Sequence, residues 1–340
     1  MPFVTALRLV AFALGVAAFS AGLPAVAQSD ETFEIMHRPR PGDHWNLSAQ
    51  AEKRLEAWLR TSDQDSILIF TKSESSSVQG QVSIGEVDSA GSHTRELRFT
   101  HVKSELSEWQ PTTGSKVVSL DSDNLTDPAL PEEVRQSLAG LKQVRYEATI
   151  GPEGQLLSYR AEPEGNIFAQ EYASVAVKSI QQDYSELTRS RLRVGETWQM
   201  GKRMADGSLG GSSTVSIEYE LTGKLVRVDT RDGARHALIK VESADRKMSG
   251  TYDPSALTQA GFSFEMLAEY DFAKGRIVMV LLTTTVRGTA VQPQNGETVD
   301  IKVTNIAREA DLNTPSWMID EAVASERSQQ EAMPALPARH

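Results

Sequence analysis

Cysteine is absent from all 340 residues. The chain therefore has no disulfide staples, no thiol nucleophile, no thiolate zinc site and no iron–sulfur cluster. Aromatic residues make up only 6%. Positive charge is scarce: 35 Lys and Arg stand against 46 Asp and Glu, a formal charge of −11. That balance argues against nucleic acid and anionic membrane surfaces as partners. After the N-terminus no apolar run is long enough to cross a bilayer as a helix. Catalytic signatures are missing too. There is no G-x-S-x-G elbow, no S-x-x-K pair, no phosphate-binding glycine loop and no H-E-x-x-H. No catalytic residue, cofactor site or metal site is assigned, and a non-enzymatic protein is expected.

The one long apolar run is an export signal. Arg8 supplies its positive start, and Leu9 to Leu23 carries no charge. Ala25-Val26-Ala27 is an A-x-A cleavage site, so the mature chain is expected to begin at Gln28, after Ala27. Cleavage is favoured over an uncleaved anchor because the small residues follow the run directly. Loss of Arg8 moves the formal charge from −11 to −12. A periplasmic or secreted location follows, with no integral membrane association after cleavage. About 310 mature residues are ample to bury a core without disulfides.

The most informative pattern occurs twice. Arg38-Pro39-Arg40-Pro41-Gly42-Asp43-His44-Trp45-Asn46-Leu47 aligns with Arg191-Leu192-Arg193-Val194-Gly195-Glu196-Thr197-Trp198-Gln199-Met200. Both read R-x-R-x-G-[acid]-x-W-[amide]-[Leu/Met], which implies an internal repeat. A valine-aspartate turn recurs at Val87 and Val228, and a tyrosine-led hairpin at Tyr146 and Tyr270, in the same order. The expected organisation is a signal peptide over 1–27, a flexible N-terminus over 28–37 and a first β-rich repeat over 38–165. A connecting helix over 166–190, a second β-rich repeat over 191–310 and a disordered C-terminal tail over 311–340 complete it.

Strand periodicity dominates both repeats. Val215, Ile217, Tyr219 and Leu221 alternate with polar residues, and so do Phe262 to Phe272 apart from Leu267. Asp232-Gly233 and Ala273-Lys274-Gly275 mark turns. A last strand runs from about Thr298 to Ile306. One helix is expected from Pro131-Glu132-Glu133 onward, with Val134, Leu138 and Leu141 on its apolar side. A second is expected over about 171–187. Residues 48–61 fit either a helix or a long strand with one break at Lys53, and strand is preferred. The fold class is mainly β (α+β): two related antiparallel, curved sheets or half-barrels with one or two covering helices.

Candidate chemistry is thin. The six histidines show no metal-ligand spacing, although His93 and His101 flank one strand and each can reach a carboxylate in space. Asp121-Ser122-Asp123-Asn124 has part of a calcium loop but lacks its glycine and distal glutamate. Trp45 and Trp198 are either core anchors or ligand-facing aromatics, with core favoured.

The doubled R-x-R-x-G-[acid]-x-W, the D-S-x5-P stretch at Asp121–Pro128 and the two tyrosine-led hairpins resemble an uncharacterised family of bacterial exported proteins and lipoproteins built from two related β-rich halves. The resemblance covers most of residues 36–310. It implies a soluble form here, because the lipid-bearing cysteine of the lipoproteins is missing, and it brings no catalytic residues. Three roles compete: a carrier of an apolar or lipid-like molecule between the β units, an envelope structural or protein-interaction protein, and a hydrolase with an unrecognised site.

Overall fold

The computed structural model describes residues 31–61, 66–125, 131–152, 155–162, 187, 189–210, 213–252, 255–292 and 295–324. The expected leader with its Ala27–Gln28 junction, and residues 325–340, lie outside these residues. So does most of the connecting helix expected over 166–190.

The first half contributes β1 (Phe33–Ile35), β2 (His44–Arg60), β3 (Ser66–Val87), β4 (His93–Gln110), β5 (Gly114–Asp121), helix α1 (Glu132–Leu141), β6 (Arg145–Ile150) and β7 (Leu156–Glu162). The second contributes β8 (Arg189–Leu192), β9 (Thr197–Gly210), β10 (Ser213–Arg231), β11 (Ala234–Tyr252), β12 (Ser255–Ala256), β13 (Thr258–Asp271), β14 (Arg276–Val291) and β15 (Thr298–Asp311). Residues 318–324 form a further helix, α2. The mainly β, antiparallel reading holds.

The strands of both halves run on as one hydrogen-bonded sheet of 13 strands, in the order β7-β6-β4-β3-β2-β15-β14-β13-β11-β10-β9, with β5 and β12 beside it. Among the described residues it does not close into a barrel, and β7 and β9 are its end strands. The halves meet where β2 pairs β15 in an unbroken antiparallel register, from Leu47 opposite Asp311 to Arg60 opposite Thr298. Residues 48–60 are thus strand. The apparent break at Lys53 is no break, because Lys53 stands between Asn305 and Glu74. Burial pulls its pKa down, and Glu74 opposes that shift.

Alternation decides which face is covered. Tyr219, Phe262, Phe264, Met266 and Val303 point to one side and pack with Phe33, Ile35, Leu187 and Leu192. On the same face of the first half, Val82, Leu97, Phe99 and Tyr146 pack beneath Leu138 and Leu141 of α1. Pro131 precedes α1, and Glu132 and Glu133 occupy its first turn, where carboxylates favour the helix dipole. Leu267, the exception in the β13 pattern, points to the opposite face. There it joins Leu238 and Met279 beneath Trp317, Met318 and Ile319.

Three boundaries change. The N-terminus expected to be flexible includes β1, which pairs β8 through Phe33 opposite Leu192. Phe33 and Ile35 are buried, and three residues are too few to display a period. Arg189 and Ser190, assigned to the connecting helix, belong to β8. The tail expected to be disordered from residue 311 is ordered to residue 324, since Trp317, Met318 and Ile319 fill a cleft on the sheet.

Both copies of the doubled motif form the same turn. The Gly42 N–H donates to Ile84 O and the Ile84 N–H to Asp43 O. The Gly195 N–H donates to Leu225 O and the Leu225 N–H to Glu196 O. The acid closes each turn on the second arginine: Asp43 Oδ2 accepts from Arg40 N at 3.2 Å and Glu196 Oε2 from Arg193 N at 2.8 Å. Each glycine has positive φ, +82° at Gly42 and +88° at Gly195, which the missing Cβ permits. The tyrosine-led hairpins differ in register. Tyr146 stands opposite Leu97, well inside its strand pair, whereas Tyr270 stands beside the β13–β14 turn.

Candidate ligand site at the seam between the halves

The seam carries chemistry on both faces. On the face holding the main core, Trp45 is buried with the Arg95 guanidinium 4.7 Å and the Arg276 guanidinium 4.1 Å from its ring centre. Arg276 also reaches the buried Asp311 at 2.5 Å. One tryptophan of the first half is thus clamped by an arginine from each half. Nearby, the His37 and His93 rings lie 5.6 Å apart. Burial, then the positive charge of Arg95, pulls the His37 pKa down to about 3. Trp198, the second copy, is half-buried at the margin of the core over Gly223, with the Arg189 guanidinium 5.9 Å away. Neither tryptophan lines the cavity described below.

His101 and His93 have different surroundings. His101 Nε2 lies 3.0 Å from Asp121 Oδ1 and 3.8 Å from Asp123 Oδ2, while the His93 ring lies tilted against that of His37. Buried Ser122 ties this loop to Val102 through two hydrogen bonds. The Asp123 N–H, then burial and His101, set the Asp121 pKa, which falls below its usual value. His101, Asp121 and Asp123 are the described residues that could hold a cation together. Lys142 already contacts Asp123 and supplies a positive charge there.

A buried polar cluster with no sequence signature lies on the opposite face. His236 Nδ1 sits 2.7 Å from Glu269 Oε1, and both side chains are fully buried. The Trp317 indole stacks on the imidazole at 4.3 Å. The two oxygens of Glu269 accept from the N–H groups of Trp317 (3.2 Å) and Met318 (3.1 Å). Those donors open α2, where a helix leaves its N–H groups unsatisfied. In sequence Glu269 looks like a solvent position of an alternating strand; only the misfit of neighbouring Leu267 hints at a second covered face.

Alongside α2 a cavity of about 490 Å³ spans the seam. Its inner end is mainly apolar, with Met279 and Leu281 of β14, Ile306 of β15, and Ile319 and Val323 of α2 beside the Arg308–Asp320 ion pair. Its mouth is polar: Gln50 and Glu52 of β2, Ser75 and Ser77 of β3, Lys103 and Glu105 of β4. Met279 and Ile319 are fully buried, whereas Ile306 leaves 41% of its surface exposed. The volume lies in the range of small-molecule sites.

No protein-family model matches the chain, and no curated protein matches it in sequence. Among solved structures, a lipovitellin structure described in terms of lipid–protein interactions is similar at TM-score 0.42 and 11% identity. That match covers 82% of this chain but only 26% of lipovitellin. The transport unit of the autotransporter AIDA-I from Escherichia coli gives TM-score 0.19 at 6% identity, over 79% of this chain and 90% of that one. OccK7 (OpdD) of Pseudomonas aeruginosa gives 0.21 at 9%, over 79% and 99%. Similarity at this level carries no conclusion about ligand or role.

Proposed function

We propose that this is an exported, non-enzymatic protein that binds an apolar or lipid-like small molecule between its two β-rich halves. The carrying observation is the seam cavity. Strands from both halves build it, its inner end is mainly apolar and covered by α2, and its mouth is polar. The N-terminal leader pattern supports export to the periplasm or beyond. The matching turns at Gly42 and Gly195 support descent from a doubled β unit, as in the exported family that the motifs resemble.

The test is production from the full gene in a Gram-negative host. Intact mass should show a mature start at Gln28. Native mass spectrometry should show a bound species of lipid mass, and the stripped protein should bind N-phenyl-1-naphthylamine, a neutral apolar dye. Placing a charge in the apolar wall, as in Ile306→Asp, should remove dye binding. A mature protein that carries no small molecule and takes up no dye sinks the reading.

A second reading, an envelope protein-interaction role, has one specific support. Edge strand β7 exposes Leu157 (57%) and Tyr159 (50%), and edge strand β9 exposes Met204 (73%). Open strand edges pair readily with other chains. Crosslinking in the envelope fraction should then capture a partner through β7 or β9. Recovery of the monomer alone at native abundance counts against it.

A further inference from the structure

The sheet register sorts the cavity's polar groups into two rungs of opposite character. One rung runs across four strands as Lys103, Ser77, Gln50 and Arg308, each opposite the next, and ends at Leu281. These side chains offer N–H and O–H donors, two of them cationic. The neighbouring rung, two residues along each strand, runs Glu105, Ser75, Glu52 and then Ile306. It offers two carboxylates and a hydroxyl. Residues two apart along a strand are spaced about 6.7 Å, so a donor rung and an acceptor rung lie side by side at about that distance.

The cavity is also polarised across the strands. From β4 to β14 is four strand spacings, about 19 Å. Polar side chains occupy the β4 and β3 end, and the β14 and α2 end is apolar apart from Asp320 of α2, which pairs with Arg308 of β15. Lys103, Gln50 and Ser75 are exposed while Met279 and Ile319 are fully buried, so the polar end is the mouth. The charges at the mouth weigh against an anionic head. Glu52 and Glu105, with Asp121 opposite Lys103, disfavour a purely anionic head. Arg308 is already engaged by Asp320 at 3.1 Å, which leaves Lys103 as the cation of the mouth.

Resting on the seam-cavity reading above, we propose that the ligand is a single-chain zwitterionic amphiphile with a phosphate and a primary ammonium in its head. The phosphate lies on the Lys103–Ser77–Gln50 rung and the ammonium on the Glu105–Ser75–Glu52 rung. The acyl chain passes Ile306 towards Met279 and Val323 beneath α2. Every head contact is charge-assisted, the class of hydrogen bond that best discriminates between heads.

The test uses the full mature protein, delipidated, with each competitor displacing N-phenyl-1-naphthylamine below its micellar concentration. The competitors are lysophosphatidylethanolamine, lysophosphatidylglycerol, a fatty acid of equal chain length and water-soluble O-phosphoethanolamine. Lysophosphatidylethanolamine is expected to bind at least about tenfold tighter than each of the others, the factor that 1.4 kcal/mol makes. Glu52→Gln/Glu105→Gln should shift the preference towards lysophosphatidylglycerol. Lys103→Glu should weaken both phosphate-bearing lipids relative to the fatty acid. Dye binding with no preference among heads, or a preference that these variants leave in place, overturns the assignment of the head while leaving an apolar carrier standing. Absence of any dye or lipid binding instead removes the cavity reading itself.

Discussion

Gly42 lies in open space: a Cβ there would meet nothing within 4 Å, so the constraint is the backbone itself. Gly42→Ala is expected to cost about 1–2 kcal/mol, the price of a left-handed residue, read as a lower urea midpoint with unchanged slope. Gly223 is constrained differently, because its Cβ would fall 2.4 Å from the Trp198 ring. Gly223→Ala should displace that indole and cost about 1–3 kcal/mol, with a shift in Trp198 emission. His37 sets a pH dependence. Its folded pKa of about 3 lies below its usual 6.5, so the unfolded chain holds the extra proton between those values. The stability from neutral, half-buried His37 is complete above pH 6.5 and falls as the pH drops towards 3, by at most about 1.4 kcal/mol per unit. Thermal midpoints measured across pH 3 to 7 should show that slope, and His37→Gln should flatten it. A slope unaltered in the variant assigns it to the carboxylates instead.

Among the elements, α2 depends most on one distant side chain. Glu269 of β13 satisfies two of its N–H groups and contacts His236, while Arg227 and Arg231 reach Glu321 from β10. Removing the carboxylate leaves buried donors unpaired at about 1–3 kcal/mol each. Glu269→Ala is therefore expected to destabilise the protein by at least about 2 kcal/mol. Amide exchange at 317–323 should rise more than at β3 or β4. Unchanged protection there would show that Trp317 and Met318 hold the segment by packing alone. The strand segments were largely legible, because alternation at Val215–Leu221 and Phe262–Phe272 reports a face buried on one side. β1 and α2 were not, since each is short and owes its order to a surface supplied by distant strands. The cavity was invisible for the same reason: Ser75, Gln50 and Arg308 read as ordinary solvent positions until register sets them side by side.

For the whole molecule, the joint is β2 against β15, the strand that opens the first half against the strand that closes the second. Both halves lend core residues there: Leu55 and Ala57 of β2 pack in the cluster that holds Ile301 and Val303 of β15. The sheet should then unfold as a unit. A buried charge at Val303→Asp is expected to lower the stability of both halves together. Calorimetry should show one transition, and emission from Trp45 and from Trp198 in single-tryptophan variants should report the same midpoint. Two separated transitions would mean that the halves are independent and the seam is a loose contact.

By itself the sequence determined local matters: a core that does without disulfides, strands from period-two burial, and one turn used twice because Gly-acid chemistry is local. Tertiary structure alone decided that the two halves share a single sheet, since strand pairing over more than 200 residues of separation leaves no periodic trace. It likewise decided that Glu269 is an anchor and Leu267 a core residue, because a second covered face exists only once α2 packs there. The two rungs of the seam cavity belong to the same class, being properties of register across five strands rather than of any one of them.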